Sequence, residues 1–434
     1  MLFKKITPII ALKFTGLILL YLLSGALLFA LFTGLLWITN GYLHGYPAFG
    51  ITLAAGFGLV LFVARRELSL TGKILRIAPV MIAFVLAVWS MVPLKQFDFP
   101  IEPDDPSFEM WDLGNDRIVS VSQHLPSENT EPREETILFL HGGPGAYVRD
   151  FDRDFISGFS NEGFRVVIYD QVGAGRSSTV DLSEYSHQGN VDDLKEIIKK
   201  VDTPVILFGQ SYGAALATSF LADYGKQFDI RQIIFSEPGP LPGADIDSDH
   251  PHFKKKTTIA ENVDGLEFHE VIRSPRLLLA LLLPASNRFV GQKEVLYSFG
   301  PDLQKKAVSN SYCREHEDQL LEFEHLPVNL LATMIIRETF MEAEKPDLRE
   351  IGIPVLLLLG ECSYIPRGFT MEYFDHYSIS RSHLIRNVGH ILWTTPEGRS
   401  ISHKAIMSFI DESELPLKNK PTYETRIQFI EEGL

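Results

Sequence analysis

The distribution of apolar and polar positions divides this chain into two unlike parts. Residues 14–38, FTGLILLYLLSGALLFALFTGLLWI, contain no charged side chain. A hydrocarbon core about 30 Å thick is crossed by roughly 20 helical residues, so this stretch is long enough to span a bilayer. Residues 47–64 and 77–94 repeat the pattern at shorter length, with glycines of the kind tolerated where membrane helices meet. Three transmembrane helices are therefore expected in residues 1–95. A cleavable signal peptide is the competing reading of the first stretch, because Lys4 and Lys5 precede it. Its length and the two stretches that follow favour a retained anchor.

Beyond a Pro- and Asp-rich linker at 96–107, the pattern changes to short apolar runs alternating with helical periodicity. DRIVSVSQHL, ETILFL, RVVIY, TPVILFG, RQIIFS and IPVLLLLG read as buried strands, and a further short strand precedes Asn387. Residues 188–200 and the segment after Ser211 read as helices. This alternation predicts an α/β fold with a mostly parallel sheet covered on both faces. Between the strands at 231–236 and 354–359 lie more than a hundred mainly helical residues, too many for a loop. They are expected to form a helical cap over the carboxyl ends of the strands, where open α/β sheets bind ligands. The expected organisation is core residues 108–239, cap 240–350, core 351–411 and a polar tail 412–434.

Charge sharpens this division. The chain carries a formal net charge of −15, yet its first 95 residues hold eight basic side chains against Glu67 alone. That is +7, which leaves −22 for the remainder. So acidic a globular part excludes nucleic acid as an expected partner. Lys4, Lys5 and Lys13 flank the first apolar stretch, and RRELSLTGKILR follows the second, whereas TNGYLHGY between them has no Lys or Arg. The bias places the amino terminus and the 65–76 loop in the cytoplasm and everything after Lys95 outside. The expected location is a multi-pass plasma (inner) membrane protein with an extracytoplasmic globular part. Residues 1–95 contact the lipid bilayer in this reading, and the oligomeric state is left open. Cys313 and Cys362 show no metal-ligand spacing. They can pair only in an oxidising compartment, and two unpaired thiols are the expected state.

Three motifs carry chemistry. Gly209-Gln210-Ser211-Tyr212-Gly213 stands between a strand and a helix, where a strained turn lifts the Ser211 hydroxyl clear of the sheet as a nucleophile. His141-Gly142-Gly143-Pro144-Gly145 follows an earlier strand and can present amides to a developing negative charge. The N–H groups of Gly143 and Tyr212 are the expected oxyanion donors. Asn387-Val388-Gly389-His390 follows the last strand and places His390 after the serine, as the general base.

HGGPG, then DQVGAGRS at 170–177, then GQSYG and a late Gly-His resemble the prolyl iminopeptidase-like group of α/β-hydrolases over residues 108–411. The resemblance implies an eight-stranded sheet, a helical cap, no cofactor or metal, and hydrolysis of an amide or ester in a small molecule or short peptide. This chain departs from that pattern at three places. Val172 stands where the group usually has arginine. The cap's tryptophan-and-glutamate motif, whose acid holds a substrate amino group, has no tryptophan here between residues 112 and 392, although Glu338 in RETFMEAE can supply an acid. Ser363 occupies the place of the aspartate that orients the histidine. Some relatives carry that acid after strand six, where Glu237 lies in Ser-Glu-Pro-Gly. Glu237 is the expected triad acid and Glu361 the alternative. A Ser–His pair or an inactive relative is the remaining reading. The run from Arg276 to Pro284 reads as a buried cap helix, with an apolar entrance wall as the sharper alternative. A serine hydrolase acting through an acyl-enzyme follows, with a prolyl iminopeptidase-like peptidase first and an esterase or lipase second. The rival from another class is a membrane-tethered binding protein on a degenerate hydrolase fold.

Overall fold

A computed structural model describes residues 107–244, 308, 311–313, 326, 328–346, 348, 351–377 and 380–411. All of these belong to one compact unit of the chain. The three expected membrane spans, the 276–284 run, most of the expected cap and the polar tail lie outside the described residues. Among the described residues, no helix is long and apolar enough to cross a membrane.

Eight strands form one sheet: β1 (Glu109–Asp112), β2 (Ile118–His124), β3 (Thr136–Leu140), β4 (Arg165–Tyr169), β5 (Val205–Gln210), β6 (Ile230–Ser236), β7 (Val355–Gly360) and β8 (Ser380–Ile385). Their spatial order is β1-β2-β4-β3-β5-β6-β7-β8. Pairing is antiparallel for β1 with β2 and for β2 with β4, and parallel everywhere else. The expected α/β class and the seven strands read from the apolar runs are all present. β1 had no signal of its own. It is four residues long, lies at the sheet edge and has both end residues exposed.

Continuous apolar runs make these strands because both faces of the sheet are covered. Side chains alternate across a strand, so Leu138, Leu140, Leu207, Phe235 and Leu357 face one layer of core. Ile137, Phe139, Phe208, Ile234 and Leu356 face the other. The first layer is closed by α2 (His187–Val201), α3 (Tyr212–Tyr224), α4 (Leu330–Glu342) and α5 (Arg367–His376). The second is closed by α1 (Asp150–Ser157) and α6 (Pro396–Ile410). Local chemistry starts three of these helices. The Ser186 hydroxyl accepts from Gly189 N–H before α2, Asn329 accepts from Ala332 N–H before α4, and Thr395 accepts from Gly398 N–H before α6.

The α4 helix is the longest described segment of the expected cap, and it is tied to the sheet domain by more than apolar contact. Ala332, Ile336 and Phe340 join the core that α2 and α3 close. Asn329 is fully buried, donates its amide to the Gly173 carbonyl at 2.9 Å, and takes the Gly145 carbonyl on its own N–H at 2.7 Å. Thr333 donates its hydroxyl to the Pro144 carbonyl at 2.8 Å. The start of α4 therefore holds two glycine-rich turns together.

The expectation of unpaired cysteines is corrected by the structure: Cys313 and Cys362 form a disulfide with Cα atoms 5.3 Å apart. Forty-nine residues separate them, but the fold removes that distance. Cys362 donates its N–H to the Val388 carbonyl, and the next residue, Gly389, packs against the Ser311 carbonyl. The turn after β7 and segment 311–313 thus share one neighbour.

Candidate active site

Ser211 caps the amino terminus of α3 with φ 54° and ψ −117°. A non-glycine residue with positive φ is strained and persists where its surroundings over-determine it. Here they do so through three bonds. Ser211 N–H donates to the Ser236 carbonyl at 3.0 Å, and its own carbonyl accepts from Gly239 at 3.1 Å and from Ala214 at 3.1 Å. Gly213 is required by close approach, because a Cβ there would lie 2.0 Å from the Leu140 carbonyl oxygen. Tyr212 is the first residue of α3, so its N–H has no partner within the helix. It stands at the positive end of the helix dipole.

The glycine turn after β3 lies directly against this elbow. A Cβ placed on Gly142 would be 3.0 Å from Ser211 Cβ, and Gly143 has φ 137°, a conformation that favours glycine. His141 anchors the turn from beneath. Its Nε2 accepts from Gln171 N–H at 2.9 Å, so the ring proton sits on Nδ1, 2.6 Å from the Gly142 carbonyl. Burial lowers the His141 pKa, which agrees with a neutral ring. Asp170 supports the second glycine turn by accepting from Val148 N–H at 2.8 Å and Arg176 N–H at 3.0 Å.

Glu237 follows β6 with φ 46°, and its N–H donates to the Leu358 carbonyl. It is fully buried. One carboxylate oxygen, Oε1, accepts from Gly360 N–H and lies 3.4 Å from Arg367 Nη1. The other, Oε2, stands 3.7 Å from His390 Nδ1. Burial acts to raise this carboxyl's pKa, but Arg367, His390 and Ser363 together outweigh it and hold the group below its ordinary value. The carboxylate is therefore ionised inside the protein. His390 itself is buried, with Ser363 Oγ 3.3 Å from Nδ1 and the Tyr364 ring 4.3 Å from its own.

Ser211, Glu237 and His390 thus follow the carboxyl ends of β5, β6 and β8, and Ser236 and Gly239, which bracket Glu237-Pro238, are bonded to Ser211. Glu361 and Glu338 are not in this group. Glu361 is exposed, and its carboxylate accepts from Asn387 N–H at 2.9 Å. Glu338 is exposed on α4. Arg367, Asn329 and Thr333 are parts of the site that the sequence reading missed. No motif marks them, since each acts on a turn distant in the chain. Among the described residues, no cluster of His, Cys, Asp or Glu could hold a metal ion.

Behind Ser211, Tyr212 extends the network into the core. Its hydroxyl lies 2.9 Å from His187 Nδ1 and accepts from Asn190 at 3.1 Å, and His187 Nε2 is 2.7 Å from Ser219 Oγ. Burial draws the His187 pKa down to about 4.

Residues 131–365, more than half of the chain, match the serine aminopeptidase S33 family. The chain belongs to that family. The proline iminopeptidase of Saccharolobus solfataricus is 33% identical over 129 residues, which are 28% of this chain and 39% of that protein. The proline iminopeptidase of Arabidopsis thaliana is 31% identical over 123 residues, 28% of this chain and 30% of that protein. The chain thus matches under two fifths of the length of either relative. An esterase of Exiguobacterium antarcticum is 15% identical, with a TM-score of 0.45 over 68% of this chain and 96% of that one. The S33 family is a family of serine hydrolases, and the eight-stranded sheet with its Gly-x-Ser-x-Gly turn is the α/β-hydrolase fold.

Proposed function

We propose that this S33 family member is a membrane-anchored serine hydrolase that cleaves an amide or ester through an acyl-enzyme, as a prolyl iminopeptidase-like peptidase. The observation that carries the reading is the linked group at the strand ends: a strained Ser211 bonded to both flanks of Glu237, whose free oxygen faces His390. In this mechanism Ser211 Oγ attacks the substrate carbonyl carbon while His390 Nε2 takes the hydroxyl proton. The N–H groups of Gly143 and Tyr212 hold the oxyanion. His390 then gives that proton to the leaving group, and the acyl-enzyme forms as the scissile bond breaks. Water, deprotonated by His390, releases the acyl group and restores Ser211. Glu237 stabilises the imidazolium at each stage. The remainder of the expected cap selects the acyl donor, and no cofactor enters.

The peptidase reading draws on the proline iminopeptidase relatives. Membrane anchoring draws on the three apolar stretches before residue 95. An extracytoplasmic location draws on the basic residues around those stretches and on the Cys313–Cys362 bond, since such bonds persist in oxidising compartments.

The test is a purified full-length protein assayed against aminoacyl amides and acyl esters side by side, with fluorophosphonate labelling of Ser211 as the control. Faster turnover of aminoacyl amides is the expected result. Preference for acyl esters would make it an esterase. Resistance of the folded wild-type protein to the probe would leave the binding protein as the better reading.

A further inference from the structure

We infer that Ser363 and Arg367 are positioning residues that divide between two side chains the work of orienting His390: Ser363 Oγ carries the hydrogen bond to Nδ1, and Glu237, clamped by Arg367, supplies the charge. The inference rests on Ser211 and His390 being nucleophile and base.

Distance makes the division. Glu237 Oε2 is 3.7 Å from His390 Nδ1, beyond a hydrogen bond but close enough for a strong charge interaction in a buried setting. Glu237 cannot move closer without giving up Gly360 N–H and Arg367, both of which grip Oε1. Arg367 is fixed in turn, because its second nitrogen donates to the Gly360 carbonyl. Oε2 is left as a buried acceptor with no hydrogen-bond partner of its own, an arrangement that costs free energy unless a donor turns toward it.

Ser363 is the donor at hand, since its hydroxyl is among the groups that hold the Glu237 carboxyl below its ordinary pKa and also lies beside His390. Its Oγ is 3.3 Å from His390 Nδ1 and already accepts from Ile365 N–H at 3.2 Å. A hydroxyl has one proton and two lone pairs. With Ile365 on one lone pair and the His390 Nδ1–H on the other, the Ser363 proton is free for the carboxylate. The resulting chain runs from Nδ1–H to Ser363 Oγ and from Ser363 O–H to Glu237. No bond beyond these hydrogen bonds changes, and the imidazole is held in the tautomer that leaves Nε2 able to accept a proton. The competing role for Ser363 is a simple turn residue that caps Ile365.

The experiment measures fluorophosphonate labelling rates of the full-length protein and their pH dependence. Ser363→Ala is expected to slow labelling roughly 10- to 100-fold and to move the acid limb to lower pH, because the imidazolium loses support. Glu237→Gln is expected to cost roughly 10³-fold or more. Adding Ser363→Asp to Glu237→Gln should recover at least tenfold, since position 363 already reaches Nδ1. Arg367→Gln should lose rate at acid pH and regain it as pH rises, because an unclamped buried carboxyl binds a proton more readily. A merely structural Ser363 would change thermal stability without moving the acid limb. The inference is overturned if Ser363→Ala labels within twofold of wild type across the pH range, or if the double variant is no faster than Glu237→Gln. Should Ser363→Ala not fold, the double variant and the Arg367→Gln profile decide it alone. A wild-type protein that does not label in a Ser211-dependent way would instead remove the hydrolase reading itself.

Discussion

The Glu361 carboxylate accepts a hydrogen bond from the Asn387 amide at 2.9 Å and stays at the surface. That bond pins the turn after β7 to the turn after β8, three residues before His390, and engages the carboxylate with an exposed turn. Glu237, one strand nearer Ser211, points inward. The two acids begin from equivalent strand ends, and each donates its N–H to the next strand, but Glu237 alone of the two has a left-handed φ.

This contrast predicts unequal effects of two conservative changes. Glu237→Gln should lower kcat by several orders of magnitude with little change in KM, since it acts on the charged imidazolium of the transition state. Glu361→Gln, which keeps an acceptor for Asn387, should stay within about threefold of wild type, because it removes only an exposed charge. Steady-state kinetics on the preferred substrate checks both.

The buried His187 predicts a pH dependence of stability. Its pKa is about 4 in the folded protein and about 6.5 in an unfolded chain. Above the unfolded value both states are neutral and the contribution is fully present. As pH falls from about 6.5 to about 4, only the unfolded state takes up the proton, so stability declines. The loss is about 3 kcal/mol and is complete below pH 4. Urea unfolding from pH 8 to pH 4 should show this slope, and His187→Gln should flatten it while lowering stability at pH 8.

Stability should also depend on redox state. The Cys313–Cys362 bond closes a loop across 49 residues of sequence, so its removal frees the unfolded chain. Replacing both cysteines by serine should cost about 2–4 kcal/mol. Thermal unfolding with and without reductant measures this, with the serine variant insensitive to reductant.

At the start of α4, Asn329 caps the helix through its carbonyl oxygen and spends its amide on the Gly173 carbonyl. Asn329→Ala removes both bonds inside a dry environment, so a loss of about 2–3 kcal/mol is expected. Because the Asn329 side chain holds the Gly173 turn, while its backbone N–H to Gly145 survives the change, a severalfold fall in kcat/KM should accompany it. Asn329→Asp keeps the cap but turns an acceptor oxygen toward the Gly173 carbonyl in a fully buried position, so it should cost at least as much as Asn329→Ala.

Seven of the eight strands and the glycine-rich turns were legible along the chain, because these are decided by neighbouring residues. A run such as VILFG has no helical periodicity and must be buried on both faces, and Gly-x-Ser-x-Gly after it leaves the backbone few ways to turn. The same holds for HGGPG and for His390 after the final strand. β1 escaped because four residues with exposed ends carry no such pattern. Glu237 was already the expected acid from its place after the sixth strand, whereas the pairing of Cys313 with Cys362 and the grip of Arg367, Asn329 and Thr333 belonged to the tertiary structure alone. Each joins segments that meet only when strands β3, β5, β6, β7 and β8 lie side by side, and over such separations the direction of a side chain follows from packing and backbone strain rather than from its neighbours in sequence.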